Sequence, residues 1–111
     1  MAITRVFRVR IVSDLRADFE EKFEQTSVRE VKQAAGLQSV AILRPTRWSP
    51  DEYSMIPVWE GEESLQAFAG DDLSRAVIPI GMEHFVVKCW ANHFHSWAEQ
   101  PPIAASRRTR Y

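Results

Sequence analysis

Cys89 is the only cysteine among 111 residues, so no disulfide can form within the chain, and no Cys/His cluster has the spacing of a zinc site. Neither sign of charge is in excess. Fourteen Lys and Arg stand against fifteen Asp and Glu, a net charge of −1. That leaves no long-range field, and neither nucleic acid nor an anionic membrane is expected as a partner. No apolar run approaches the ~18 residues of a membrane span. Arg5, Arg8 and Arg10 interrupt the N-terminus before the apolar region of a signal peptide can form. The expected compartment is the cytoplasm.

What remains is ordinary globular material, 45% hydrophobic and 26% charged. The length suits a single domain that buries roughly two-thirds of its unfolded surface, enough for a real but thin core. Residues 3–13 alternate, with Phe7, Val9 and Ile11 on one side and Arg8, Arg10 and Val12 on the other, which marks a strand. Ser13-Asp14 offers a helix N-cap. From Leu15 to about Ala34 the period becomes helical, with Leu15, Phe19, Phe23, Thr26 and Val31 on or near one stripe. Acidic residues lead and basic residues follow, as the helix dipole favours, and Gly36 supplies a stop.

Residues 37–44 read as a second strand, Pro45 to Pro50 as a hairpin loop, and residues 52–60 as a third strand. Pro57 lacks a donor and predicts a bulge or an unpaired side there. A second helix starts at Gly61, buries Leu65, Phe68 and Ala69, and ends at Gly70. Asp71 is placed to cap a short turn from Leu73 to Val77. A long last strand covers about 82–96. Periodicity is lost from residue 98 to residue 111. The domain is therefore drawn as 1–97, followed by a mobile basic tail or a partner-docking arm.

Strand, helix, strand, strand, helix, strand, joined by right-handed crossovers, gives an α+β ferredoxin-like fold: a four-stranded antiparallel sheet with both helices on one face. The last strand carries apolar side chains on both sides, Phe85, Val87, Cys89 and Ala91 on one, Met82, Val86, Trp90 and Phe94 on the other. Helices can cover only one side. A homodimer, two sheets face to face as a closed barrel, is the expected remedy.

The run from Trp59 to Phe68, Trp-Glu-Gly-Glu-Glu-Ser-Leu-Gln-Ala-Phe, resembles the W-E-x-E-E-x-L-x-x-F signature of the antibiotic biosynthesis monooxygenase (ABM) domain. The flanks, Gly36 to Val40, Ser74 to Pro79 and Gly81 to His84, are similar too, and the resemblance spans about residues 5–96. It implies a dimeric α+β barrel. Members of that family include cofactor-independent monooxygenases that oxidise polycyclic phenols to quinones, haem-degrading monooxygenases and many proteins with no assigned activity, so the resemblance implies the fold more firmly than the chemistry. The haem-degrading branch uses an Asn on strand one, a Trp on helix two and a His about ten residues later. Those places hold Phe7, Phe68 and Val77 or Ile78, so no haem ligand stands where that branch needs one.

A cofactor-free oxygenase binds an aromatic substrate in a dry pocket, removes its acidic proton and holds dioxygen beside it; the substrate itself supplies the electrons. No cofactor and no metal are then expected, and the partners are a small aromatic molecule, dioxygen and a second copy of the chain. The candidate catalytic base is His84, read as lying at the start of the last strand, with a pKa of ~6.5 suited to a phenolic proton. Tyr53 and Trp59 share a parity on strand three and are placed to orient a ring together with Phe68. Trp90 and Asn92 are read on the same face as His84. Structural roles compete for all six. Arg8 and Arg10 suit either a phenolate or salt bridges at a dimer seam, His93 and His95 lack a third metal ligand, and Cys89 reads as inert core. A non-catalytic barrel binding an apolar ligand, or an isomerase or cyclase on the same fold, are the alternative functions.

Overall fold

The structure is a computed structural model and describes residues 1–76 and 78–97. The tail expected from residue 98, and Val77, lie outside the described residues. Four strands, β1 (Ile3–Ile11), β2 (Leu37–Leu43), β3 (Glu52–Trp59) and β4 (Val86–His95), form one sheet in the order β2-β3-β1-β4. Every pairing is antiparallel. Three helices, α1 (Arg16–Phe23), α2 (Arg29–Lys32) and α3 (Glu62–Ala69), fill the crossovers. The fold is α+β ferredoxin-like. No helix among the described residues is long and apolar enough to cross a membrane.

Alternation sorts the sheet into two faces. On β1 and β3 the residues Ile3, Phe7, Val9, Ile11, Tyr53, Met55 and Trp59 are buried, and their neighbours in sequence are not. This is the helix-covered face. Its core is closed by Phe19, Phe23, Val28 and Val31 from the first helical segment and Leu65 from α3. Phe19 stacks on Phe23 with centroids 5.0 Å apart and lies 4.7 Å from Tyr53. Trp59 meets Phe68 at 5.0 Å, joining β3 to α3.

The other face carries Val6, Ile56, Val58, Trp90 and Phe94, half-buried to exposed. Phe94 keeps 56% of its surface open and Leu43, also on this side, 47%. The two-sided sheet is thus present, with a different membership. Met82 is 2% exposed and belongs to the core, and Val86 packs against it. The last strand starts at Val86 because Glu83–Phe85 forms a 3-10 turn, and Val87 lies where the β1–β4 register shifts, pointing to solvent.

Three further expectations change. Ser13 caps no helix; its hydroxyl donates to Asp51 Oδ2, and Ser13–Leu15 is a 3-10 turn leading into α1. Asp72, rather than Asp71, caps the turn that follows, accepting hydrogen bonds from the Ser74 backbone N–H and hydroxyl. Between α1 and α2 the chain widens into a π turn at Glu24–Val28. The wider turn puts Val28 rather than Thr26 in the buried stripe between Phe23 and Val31.

Pro57 leaves an unpaired side, as expected. The β1–β3 partners run Ile3↔Trp59 and Thr4↔Val58 and resume at Phe7↔Met55, so Arg5 and Val6 fall out of that ladder opposite Pro57 and Ile56. On its other side Pro57 keeps register with Val40.

Candidate cleft and its buried cation

Between the helix-covered face, the π turn and the segment before β4 lie two adjoining clefts. They share Phe7, Ser27 and Pro79, and each is a narrow recess whose water-accessible space is only about 20 Å³, room for about one water. The second is almost wholly apolar, with Phe19, Phe23 and Met82 in its walls. The first adds Met55, Phe68, Glu30 and Arg5. Aromatic and aliphatic walls with a few convergent polar groups are the usual makeup of a small-molecule site. Ser27, within the π turn, lines both.

Arg5 is the unusual member. It shares the parity of Phe7 and Val9, so β1 carries it onto the buried face, where 2% of its surface remains exposed. Arg5 Nη1 lies 2.9 Å from His93 Nε2, and Nη2 donates to the Arg75 carbonyl oxygen at 3.2 Å. No carboxylate among the described residues comes within ion-pair distance of it. A guanidinium has five N–H donors and no acceptor, so His93 Nε2 is the accepting nitrogen, and the ring is neutral with its proton on Nδ1. Burial, and then the Arg5 charge, hold the His93 imidazole below its usual pKa. Burial likewise lowers the Arg5 pKa, although a guanidinium stays charged in proteins.

The sequence-predicted residues divide between three places. His84 stands on the exposed 3-10 turn, its ring 4.0 Å from Phe85, and lines neither cleft. It is not on β4, so Trp90 and Asn92 share the open face with each other and not with His84. Tyr53 and Trp59 do share the helix-covered face, inside the core. The Tyr53 hydroxyl donates to Glu20 Oε2 at 2.5 Å, and burial first, the Glu20 carboxylate second, push its pKa up to about 12. Trp59 is fully buried, and its indole N–H has no partner among the described residues. Phe68 alone of the six lines the Arg5 cleft.

Arg8 and Arg10 lie on the exposed side of β1, Arg10 near Glu52 at 3.9 Å. His95 lies at the strand end near the Ala2 carbonyl and Glu62. Cys89 sits half-buried opposite Val9, and burial raises its pKa, keeping it a thiol. Among the described residues no three His, Cys, Asp or Glu gather to hold a metal ion.

A family model described as antibiotic biosynthesis monooxygenase matches residues 2–79. No curated protein matches the sequence. Among solved structures, the chain is similar to SnoaB, a cofactor-independent oxygenase from Streptomyces nogalater. The TM-score is 0.67 at 17% identity, covering 91% of this chain and 98% of that one. A heme-degrading protein from Mycobacterium tuberculosis aligns with a TM-score of 0.62 at 17% identity, covering 91% and 100%. A putative antibiotic biosynthesis monooxygenase from Chloroflexus aurantiacus J-10-fl gives 0.65 at 12% identity, covering 91% and 98%. At such identities the likeness establishes a shared fold. The clefts do not suit a haem: among the described residues no imidazole or thiol lines them, and His93 is turned toward Arg5.

Proposed function

The chain belongs to the antibiotic biosynthesis monooxygenase family, and from that premise we propose a cytoplasmic, homodimeric oxygenase acting on a small phenol- or quinol-like aromatic without a cofactor. The observation that carries the reading is the apolar cleft beneath the helices, walled by Phe7, Met55 and Phe68 and holding one buried cation.

The chemistry needs little from the protein. A phenol with a free para carbon loses its hydroxyl proton, and the phenolate passes one electron to dioxygen. The resulting pair recombines at the para carbon as a hydroperoxide. Loss of the para proton with cleavage of the O–O bond gives the quinone and one water, so the sum is phenol plus O2 giving quinone plus H2O. A positive charge beside the hydroxyl oxygen favours ionisation, and an apolar wall strengthens that effect by excluding water. Glu30, in the lining of the same cleft, accepts the proton and returns it to solvent. His84 stands outside the cleft and takes no part in this scheme. Ile78 and Pro79 complete the lining on the side of the segment that leads to β4. The second copy covers the open sheet face.

Oxygen uptake with a panel of hydroxylated naphthalenes and anthrones tests the reading. Uptake matched by quinone formation supports it. A ligand that raises the melting temperature yet is recovered unchanged, with no uptake above buffer, identifies a binding barrel instead.

A further inference from the structure

The helix layer carries a second concave surface, larger than the recesses beneath it. Two open grooves run between the end of α2 and the length of α3, about 390 and 540 Å³ in volume, and they join at Ala35, Ser64 and Ala67. Small side chains make the floor. Gly36 lets the two segments approach closely: its carbonyl accepts the Glu60 N–H at 2.9 Å, and Ser64 lies against it. Ala34 and Phe68 extend the apolar surface at one end. Glu30, Glu60 and Glu63 stand in the walls, and no Lys or Arg does. None of these three carboxylates is in an ion pair among the described residues.

The last strand delivers the chain to one end of this groove. His95 closes β4, with Nδ1 3.2 Å from the Ala2 carbonyl oxygen and Nε2 4.0 Å from Glu62 Oε1, in the first turn of α3. Residues 98–111 follow, outside the described residues. Their sequence holds Arg107, Arg108 and Arg110 against the single acid Glu99, with Ile103-Ala104-Ala105 just ahead of the arginines. At roughly 3.3 Å per extended residue, the stretch from His95 to Arg107 reaches about 40 Å. The helix it has to follow is only about 12 Å long. We propose that residues 103–110 seat in this groove of their own chain, Ile103 to Ala105 on the alanine floor and the arginines against Glu60, Glu63 and Glu30. Guanidinium and carboxylate suit each other in charge and in fork geometry. Exposed ion pairs are individually weak, so the seating relies on several pairs together with the apolar contact, and it is sensitive to salt. Glu30 and Phe68 line both this groove and the Arg5 recess, so a seated tail borders that recess. The open face of the sheet stays free for a second copy.

The test is paramagnetic broadening in the full chain, with a nitroxide on Ser106→Cys in a Cys89→Ser background. The amide signals of Ala35, Ser64 and Ala67 are expected to lose intensity, while those of Val6 and Ile56 on the open face keep theirs. Glu60→Gln with Glu63→Gln restores part of the lost intensity, and so does ~1 M salt, where the screening length falls to about 3 Å. Trypsin gives a reading on the natural sequence, which serves if Cys89→Ser does not fold: cleavage after Arg107 and Arg108 is slower there than in the chain carrying Glu60→Gln and Glu63→Gln. No broadening at α3, broadening spread evenly over both faces, or broadening that neither salt nor the Glu→Gln changes relieve would overturn the proposal. Equal trypsin rates in the two chains would do the same. A further contrary result is full broadening when isotope-labelled chains without the nitroxide are refolded together with unlabelled chains that carry it, because the tail then seats on another copy. None of these readouts involves oxygen uptake, so the oxygenase reading stands or falls separately.

Discussion

Gly36 turns the chain between α2 and β2 at φ +83°, and a Cβ there would lie 2.4 Å from Ser64 Cβ on α3. Left-handed backbone and a close approach coincide, so Gly36→Ala is expected to cost roughly 2–4 kcal/mol, measured by urea denaturation. The Arg5–His93 pair makes a pH prediction. Folding lowers the His93 pKa, so between that depressed value and ~6.5 the unfolded chain binds the extra proton. Stability is full above ~6.5, declines as pH falls through that window, and levels off below the folded value. His93→Gln removes this slope, and the difference between the two urea profiles isolates it. The signal for Arg5 was already present in the sequence: it shares the parity of Phe7, Val9 and Ile11. A lone charge near the start of a strand is indistinguishable by pattern from one that has not yet entered the core, although Ile3 before it is buried too. Its depth became visible only with Met55, Phe68 and His93 assembled around it.

At the scale of elements, strands read more faithfully than turns. The bounds of β2 and β3 and the span of α3 follow the predicted ones within a residue, since alternation, the hairpin prolines and Gly70 all act locally. The first helical segment departs because a π turn at Glu24–Val28 has no composition of its own. It is a phase shift, visible only when Val28 packs in the core beside Val31. Such turns behave as single-residue insertions and concentrate at functional sites. Deleting the exposed Gln25 is expected to restore a regular helix and keep cooperative unfolding, with stability changed by about 1 kcal/mol or less. It shifts Val28 and Val31 by one position in the helix and is expected to lower turnover by reshaping the cleft wall. Circular dichroism, urea melts and the oxygen assay check the three parts. The start of β4 misled in a similar way: Met82 and His84 continue its alternation in sequence, but a 3-10 turn intervenes and sends Met82 into the core and His84 to the surface.

For the whole molecule, the sheet has one covered face and one that offers Val6, Ile56, Trp90 and Phe94 to its surroundings. Pairing two such faces removes the exposed apolar area without altering the cleft on the opposite side. Sedimentation at micromolar concentration is expected to give twice the chain mass, and Phe94→Glu with Trp90→Glu to give a folded single chain; a wild-type mass of one chain contradicts the pairing. The fold and its two-sidedness were legible because both follow from periodicity. The site was not, because it depends on one arginine, one phase shift and one histidine 88 residues away in sequence. The decisive measurement is the fate of labelled oxygen: metal-stripped protein, an anthrone and 18O2, with no haem or reductant added. One 18O atom in each quinone and one O2 consumed per substrate is the predicted result. Unlabelled product, or consumption no faster than in buffer from a folded sample, would contradict it.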